Sequence, residues 1–442
     1  MRKLLSSAAL ATVAASLLVA QPARAAVGVT DDPILYWTQL MYGSVGGNPP
    51  VQARTAAMVE IAMHDAVSAA LAHPDTSYLQ GVSASGGDVR AAAAQAAHDV
   101  LVALNPTKTA DYDAALASSL ALVSDPVARA AGQTTGSAYA AAIITTRTGD
   151  GSATAGSTPY TPGTNPGEWQ PTSPGVTAAL PGWGDVTPFQ LTSGDQFRAP
   201  PPPSLTSAEY AAAYAEVAAI GSAGSMTRTA DQSAAAQFWA GAGGTSWLSI
   251  AVGLAADEGM STLEYSRMFA TLGTSLADAF IAGFDTKYAY SFWRPVTAIH
   301  GGDLDGNPDT AVDAGWTSYI TAPSHPSYLS THSIADATAA TVLLAYIDDE
   351  AFCATFAGLS RCFDGIQDAS LDGAYSRVWG GIHFSFDSEA GLAAGTQLAQ
   401  YELGVGTFRA VPEPSTWAML LLGFAAVGLS LRRRKTEFPQ LV

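Results

Sequence analysis

Three short segments of the chain carry the residues that could do chemistry: residues 287–295, 330–332 and 376–383. Each of them places a cation or a histidine beside another residue that can hydrogen-bond to a tetrahedral anion. Cations are scarce, because the chain has 20 Lys and Arg in 442 residues, and three of them fall in these segments. The segments therefore predict a binding site for a tetrahedral oxyanion.

The first segment reads Lys287-YAYSFW-Arg294-Pro295 and continues a helical pattern. A separation of seven residues is two helical turns, so the ammonium and the guanidinium should lie on one face and could grip one anion. Pro295 should end or kink the helix directly after Arg294. The alternative is a solvated basic face, which is the commoner use of two cations at this spacing.

The second segment lies at the predicted start of a helix. Pro323 and Pro326 favour an extended approach, and a strongly helical run follows Ser330. Free N–H groups and the helix dipole would attract an anion to this N-terminus, where His332 could act as a general acid or base. Alternatively, Ser330 is only an N-cap residue and His332 is a surface histidine.

The third segment combines Arg377 with His383, six residues later. A guanidinium offers a planar fork to two oxygens of an anion, and an imidazole nitrogen could reach its central atom. Gly380 and Gly381 would permit close approach of the backbone to a ligand. Taken alone, a histidine after two glycines is more often structural, so the prediction depends on the three segments occurring together.

The net charge excludes one class of partner. The chain carries 38 Asp and Glu against 20 Lys and Arg, which gives a formal net charge of −18 at pH 7. Such a surface repels nucleic acid and acidic membranes, so we expect no nucleic-acid partner. A site inside the domain that binds an anion therefore needs positively charged side chains close by, which offset the negative potential of the rest of the protein.

Both ends of the chain are predicted to be targeting signals rather than parts of the fold. Residues 1–25 have the charged start, apolar stretch and small-residue cleavage pattern of a secretory signal peptide. Residues 411–435 resemble the PEP-CTERM sorting tail of exported Gram-negative proteins, which an exosortase-type enzyme recognises and processes. The resemblance implies export to the cell envelope or the extracellular medium, with initial membrane anchoring through the tail. The alternative is an ordinary C-terminal anchor.

Between these signals, residues 26–408 are predicted to form an all-α domain. Apolar residues recur at intervals of three and four over residues 51–72, 89–104, 110–123, 126–144, 207–220, 261–284 and 388–403. Residues 148–203 differ, since they are rich in Gly, Pro, Ser and Thr. Their aromatic residues, Tyr160, Trp169, Trp183 and Phe189, favour a loop that covers the domain over a free linker.

The two cysteines, Cys353 and Cys362, lie within one short stretch. In an exported chain, such a pair is more often a local disulfide than part of a metal site, which would need further ligands nearby. We therefore predict a disulfide, with two free thiols as the alternative and no catalytic part in either case.

Together, the three segments resemble the pattern shared by vanadium-dependent haloperoxidases and acid phosphatases of the phosphatidic acid phosphatase type 2 superfamily. That pattern reads K-x6-R-P, then P-S-G-H, then S-R-x5-H, and this chain reproduces the first and third parts. In the second part, Leu329 replaces Pro and Thr331 replaces Gly. Thr331 could still donate its N–H, although its side chain takes room and disfavours positive φ. The resemblance extends over residues 51–403 and implies helical bundles of the haloperoxidase type.

The resemblance also implies a cofactor, vanadate, whose place phosphate could take because the two anions have the same shape. Lys287, Arg294 and Arg377 would neutralise the equatorial oxygens, and Ser330 and the N–H of Thr331 would donate as well.

Three histidines receive roles by the same resemblance. His383 would be the axial metal ligand and His332 the acid–base residue in the oxidation of halide by hydrogen peroxide to hypohalous acid, which then halogenates an organic acceptor. His325 stands where bromide-oxidising members carry His and chloride-oxidising ones carry Phe, so bromide or iodide is favoured. His300, His64 with Asp65, and His98 with Asp99 are interpreted as structural.

Two other functions stay open. An acid phosphatase would use the same pocket, with His383 as nucleophile and His332 protonating the leaving alcohol. A catalytically inert envelope protein is the second alternative, and the departures at Leu329 and Thr331 keep it open. The sequence also leaves the oligomeric state open, including a homo-oligomer.

Overall fold

A computed structural model describes residues 27–73, 77–242 and 245–408 of the chain. The predicted signal peptide and the predicted sorting tail lie outside these residues. Within them the structure has thirteen α-helices and one short hairpin, which confirms the all-α prediction. The helices are α1 Pro33–Ser44, α2 Pro49–Ala70, α3 Val89–Leu104, α4 Thr109–Ala121, α5 Pro126–Thr146, α6 Ala208–Ile220, α7 Ala230–Ala240, α8 Ser246–Ala255, α9 Thr262–Tyr290, α10 Pro295–His300, α11 Thr331–Leu343, α12 Ile366–Trp379 and α13 Ser385–Val405.

Local sequence explains where many of these helices begin. Ser261 caps α9 by accepting from the N–H of Glu264, whose side chain returns the bond to the Ser261 N–H. Thr229 and Gln232 form the same capping box at the start of α7. Satisfying the free N–H groups of the first turn in this way sets where a helix starts.

The long helix α9 connects two groups of helices. Its 29 residues pack against α2 on one side and against α11 and α13 on the other. The first group also contains α3 and α5, which pack closely because Gly132 and Gly136 of α5 lie against the backbone of α3. The second group contains α11, α12 and α13, and it carries most of the candidate site residues.

Helices α11 and α13 touch through their backbones. A Cβ atom on Gly391 would lie 2.8 Å from the carbonyl oxygen of Ser330, and one on Gly395 would lie 2.2 Å from that of Ile334. Both distances are shorter than any real contact, so neither position of α13 can carry a side chain without the helices separating. The two glycines therefore set how close the start of α13 lies to the start of α11.

Residues 148–203 contain only single turns of 3-10 helix, and they pack on the helical domain. The side chains of Trp169 and Trp183 are fully buried. Asp278 of α9 anchors the segment by accepting hydrogen bonds from three successive N–H groups, of Phe189 at 2.7 Å, Gln190 at 2.7 Å and Leu191 at 3.0 Å. These contacts explain why a stretch so rich in Gly and Pro has one ordered path.

The hairpin consists of β1, Phe352–Phe356, and β2, Leu359–Phe363, which pair antiparallel. Cys353 lies directly opposite Cys362, and the two form the predicted disulfide. Arg361 of β2 forms ion pairs with Asp231 of α7 at 2.8 Å and Asp372 of α12 at 2.6 Å. The hairpin therefore joins α7 to α12.

Buried carboxyl groups should make the protein more stable in mild acid than in mild base. Burial raises the pKa of Glu60 and Asp336 to about 8 and that of Asp65 to about 7. Between about pH 4 and pH 8 these three groups hold protons in the folded chain that they have lost in the unfolded chain, so their contribution to the free energy of unfolding falls as the pH rises. His325, His332 and His383, whose pKa values are lowered by burial, act in the opposite sense below about pH 6.5. We therefore expect Tm to be higher at pH 6.5 than at pH 8 by roughly 3 °C or more.

The variant Glu60→Gln provides the control for this prediction. It keeps an acceptor for the Thr38 hydroxyl, which donates to Glu60 Oε1 at 2.7 Å, but it removes one titrating group. Its Tm should fall less between about pH 6.5 and pH 8 than that of the parent protein. A parent Tm that stays constant or rises across this range would contradict the prediction.

Candidate active site

A cavity of about 320 Å³ lies where the ends of several helices meet. Five of the predicted site residues line it: His325, Thr331, His332, Arg377 and His383. Its other walls are mostly apolar and come from the start of α2, from residues 179 and 180, and from Phe280 and Phe284 of α9. Polar chemistry at one end of the cavity thus faces an apolar wall that could accommodate an organic molecule.

His383 lies between α12 and α13 with its imidazole fixed by a carboxylate. Its Nδ1 is 2.8 Å from Asp387 Oδ2, which also accepts from the Ser327 hydroxyl at 2.5 Å and the Phe384 N–H at 3.1 Å. Nδ1 therefore carries the proton, and the lone pair is on Nε2. Burial, together with the nearby charges of Arg294 and Lys287, holds the pKa of His383 well below its ordinary value. A neutral imidazole with its lone pair on Nε2 is what a metal ligand requires.

Arg294 lies between His383 and His325. Its Nη1 donates to the Ile382 carbonyl at 2.7 Å and lies 3.1 Å from His383 Nε2, while Nη2 lies 3.0 Å from His325 Nδ1. Burial lowers the pKa of this guanidinium to about 9, and the carboxylate of Asp387 opposes that shift. Arg294 is thus a buried cation in contact with both histidines.

The expected helical face shared by Lys287 and Arg294 is wrong. Helix α9 ends at Tyr290, where Ser291 adopts a left-handed conformation with φ of 49°, and Pro295 begins α10 instead of ending α9. Trp169 explains the break in part, since its N–H donates to the Ser291 carbonyl at 2.7 Å. The charge of Arg294 still lowers the pKa of Lys287, although the helix is broken between the two residues.

Lys287 is buried and does not line the cavity. Its ammonium group donates to the carbonyls of Pro326 at 2.9 Å, Ser327 at 2.8 Å and Leu329 at 2.6 Å. These three bonds use all of its donors. In this structure Lys287 therefore fixes the turn before α11 and adds positive charge to the site from behind it.

The start of α11 is built as predicted from its sequence. Ser330 is the N-cap residue, and its hydroxyl accepts from the Ser333 N–H at 3.3 Å. Ser330 is buried and does not line the cavity, whereas Thr331, the first residue of the helix, does. The N–H groups of Thr331 and His332 are the first two of the helix, so they lack intrahelical partners and can face an anion.

His332 lies in the first turn of α11 and is partly exposed to the cavity. Burial and the charge of Arg377 hold its pKa well below the ordinary value, against the opposing effect of the Trp239 carbonyl. The imidazole is therefore neutral at pH 7 and able to accept a proton.

Arg377 supplies the observation that points most directly to a ligand. Its Nε donates to the Ser376 hydroxyl at 3.2 Å, but its Nη2 is buried without a hydrogen-bond partner among the described residues. A buried guanidinium nitrogen without an acceptor is costly. An oxyanion in the cavity would satisfy it and would offset the charge of the three buried cations.

The described residues contain no cluster of three His, Cys, Asp or Glu side chains that could hold a metal cation. An oxyanion held by cations and one imidazole nitrogen needs no such cluster. The other histidines considered do not line the cavity: His64 Nδ1 is 2.9 Å from the Ser266 hydroxyl, His98 pairs with Asp99 and Asp113, and His300 bonds to the Trp316 carbonyl.

Sequence reasoning missed two carboxyl groups at the site. Asp387 follows His383 by four residues and Asp336 follows His332 by four residues. For Asp336 this spacing was a usable signal, because residues four apart in α11 lie on one helical face, whereas His383 precedes α13 and meets Asp387 of its first turn. The apolar wall gave no such signal, since it is assembled from segments that are far apart in the sequence.

Two parts of the chain match models of known families. Residues 267–406 match the family model described as the VCPO second helical-bundle domain, and this span contains every candidate site residue. Residues 410–435 match the PEP-CTERM protein-sorting motif. The match to this helical-bundle domain and the match to the sorting motif confirm the resemblance drawn from the sequence.

Solved structures share the fold over nearly their whole length. The crystal structure of the first bacterial vanadium-dependent iodoperoxidase superposes with a TM-score of 0.71 and 24% identity, covering 85% of this chain and 95% of that one. A holo-type bacterial vanadium-dependent chloroperoxidase gives a TM-score of 0.64 and 19% identity, with coverages of 84% and 98%. The comparison with curated proteins finds no match.

The sorting motif indicates export to the cell envelope and processing by an exosortase. Within the described residues, no helix combines the length and the apolar character needed to cross a membrane.

Proposed function

We propose that this protein catalyses the vanadate-dependent oxidation of halide by hydrogen peroxide to hypohalous acid, with bromide or iodide favoured over chloride. The observation that carries the proposal is the buried Arg377 nitrogen without a partner, at a cavity that also exposes the neutral imidazole of His383. Bound vanadate requires cations that neutralise the charge of its oxygens and a nitrogen ligand for its central atom.

The residues of the chain fit this cofactor. His383 would hold the vanadium through Nε2, with Asp387 keeping the proton on Nδ1. Arg377 and the first N–H groups of α11 would bind the oxygens. Arg294 Nη1, now 3.1 Å from His383 Nε2, would turn its proton to an oxygen when that nitrogen binds. Vanadate, when bound, supplies a Lewis-acid centre that activates peroxide toward halide.

His332 would move the proton in this reaction. It is neutral at pH 7 because burial and Arg377 lower its pKa, so it can take a proton from hydrogen peroxide as the peroxide enters the site. It would return the proton to the hypohalite as it leaves, while the second peroxide oxygen would leave as water after taking up one proton from the solvent. The apolar wall formed by Phe280 and Phe284 excludes bulk water from that side and leaves room for an organic acceptor.

His325 supports the halide preference. Its ring lines the cavity, 5.3 Å from the ring of Phe284, and its Nδ1 lies within hydrogen-bond distance of Arg294. Burial and the charges of Lys287 and Arg294 keep its pKa well below the ordinary value, so it presents a neutral polar edge to an incoming halide. The position corresponds to the histidine of bromide-oxidising relatives noted in the sequence.

We further propose that the working domain spans residues 26–408, with residues 148–203 as its covering loop. The signal peptide would be removed at export. The tail at residues 411–435 would anchor the chain in the membrane of a Gram-negative cell until an exosortase-type enzyme processes it.

One assay tests the function. The purified protein, freed of bound anions, is supplied with orthovanadate or with buffer and scored for peroxide-dependent oxidation of iodide, bromide and chloride and for phosphomonoester hydrolysis. We expect halide oxidation only with vanadate, and chloride to be the poorest substrate. Hydrolysis without halide oxidation would establish the phosphatase alternative instead, and neither activity would establish the inert alternative.

A further inference from the structure

We propose that Asp336 is a positioning residue that competes with the bound oxyanion for the guanidinium of Arg377. The inference rests on the oxyanion site of the proposed function, but not on the peroxidase reaction. It concerns a carboxyl group that does not line the cavity and that the reaction described above does not use.

Asp336 lies one helical turn after His332, in the interior of α11, and is 2% exposed. Its Oδ1 accepts from the indole N–H of Trp247 at 2.8 Å, whereas its Oδ2 is buried without a hydrogen-bond partner among the described residues. Half of this carboxyl group is therefore fixed by α8, and the other half lacks a donor.

The missing donor lies on α12. A Cβ atom on Gly373 would lie 2.4 Å from Asp336 Oδ2, so the carboxyl group lies directly against that glycine. Arg377 follows Gly373 by four residues on the same helical face. A buried acceptor without a donor and a buried donor without an acceptor thus lie on the same side of α12.

The charges near the two groups are consistent with this pairing. Burial lowers the pKa of Arg377 to about 10, and the charge of Asp336 opposes that shift. Burial raises the pKa of Asp336, and the Trp247 hydrogen bond and the charge of Arg377 oppose that shift. The negative charge of Asp372, also on α12, raises the pKa of Asp336. At the other end of the site, the charges of Lys287 from α9 and Asp387 from α13 each oppose the pKa shift that burial causes in the other group. Asp336 is thus paired electrostatically with Arg377, and Asp387 with Lys287.

The consequence is a competition. With Asp336 protonated, Arg377 keeps its full charge for an oxyanion in the cavity. With Asp336 ionised, Oδ2 attracts Arg377 Nη2 and adds a negative charge close to the bound anion. Burial raises the pKa of Asp336 to about 8, so the change falls in mildly alkaline solution.

Binding of inorganic phosphate provides the test, because it needs neither vanadate nor peroxide. The Kd for phosphate is measured by calorimetry from pH 6 to pH 9 in the full protein and in Asp336→Asn, which keeps the shape and the acceptor for Trp247. The Kd ratio of parent to variant should be near one at pH 6 and rise about tenfold per pH unit above about pH 8 while ionised Asp336 excludes the anion. Titration of phosphate, Lys287 and Arg294 affects both proteins alike and cancels in the ratio, and the range ends below pH 10, where Arg377 itself titrates.

A second variant gives an independent readout. Trp247→Phe removes the indole N–H that stabilises the ionised carboxyl group, so the alkaline weakening of phosphate binding should begin at higher pH than in the parent. If Asp336 had only a structural role, its replacement would weaken phosphate binding at every pH, and Trp247→Phe would not shift the pH midpoint of the weakening.

Three results would overturn the inference. A Kd ratio that stays constant across the pH range, or an unshifted midpoint in Trp247→Phe, removes the competition while leaving the oxyanion site intact. A parent protein that binds no phosphate at any pH removes the oxyanion site, and the proposed function with it.

Discussion

Replacement of His383 by alanine should abolish vanadate-dependent halide oxidation and weaken vanadate binding by at least about a hundredfold. The hydrogen bond from Nδ1 to Asp387 keeps the imidazole proton on Nδ1 and the lone pair on Nε2. The variant loses this lone pair. The remaining cations would still attract an oxyanion through charge, so weak binding should persist. Equilibrium dialysis against orthovanadate measures the binding, and halide oxidation at saturating vanadate measures the activity.

His300→Ala is the matched control. His300 is an exposed histidine whose Nε2 bonds to the Trp316 carbonyl at 2.8 Å, and it does not line the cavity. Its removal should leave vanadate affinity within about twofold of the parent, a change of about 0.4 kcal/mol. Equal vanadate affinity in His383→Ala and the parent protein would show that His383 is not the axial ligand.

Lys287→Ala should destabilise the folded protein as well as weaken anion binding. The ammonium group holds three carbonyls of residues 326–329, and its removal takes this donor from all of them, leaving Pro326 only the contact with His325 Nδ1 at 3.3 Å. Each such group costs about 1 kcal/mol or more, so we expect a loss on the order of 3 kcal/mol in the free energy of unfolding. Urea denaturation of the anion-free protein measures this directly.

Lys287→Met separates hydrogen bonding from packing, because methionine keeps most of the buried alkyl chain. It should lose nearly as much stability as Lys287→Ala if the carbonyl bonds dominate. Lys108→Ala, which removes an exposed cation paired with Asp111 at 3.3 Å, should have little effect. If the Lys287 variants were as stable as the parent, the turn before α11 would not depend on this side chain.

Sequence patterns predicted the helices well because apolar periodicity and capping residues act locally. Ser330 illustrates this, since a serine before a helical run was enough to place the start of α11. The disulfide between Cys353 and Cys362 was also predictable, because two nearby cysteines in an exported chain have few other uses.

The errors arose where tertiary contacts override local preference. Helical spacing from Lys287 to Arg294 was misleading, because the loop around Trp169 takes the chain out of the helix after Tyr290. The bonds of Lys287 to three carbonyls of a turn 39 to 42 residues away could not be read from spacing. The contact between Asp336 and Gly373 could not be predicted either, because a glycine carries no functional group that would mark it.

The backbone contact between α11 and α13 has a consequence for mutational tolerance. Any side chain at Gly391 or Gly395 would push the start of α13, and with it His383 and Asp387, away from the start of α11. A displacement of about 1 Å can lower a rate by two orders of magnitude. Attempts to diversify this protein should therefore find these two glycines as intolerant as the candidate site residues, although neither lines the cavity. Under the proposed function, the apolar wall at Phe280 and Phe284 is where new acceptor preferences would be introduced.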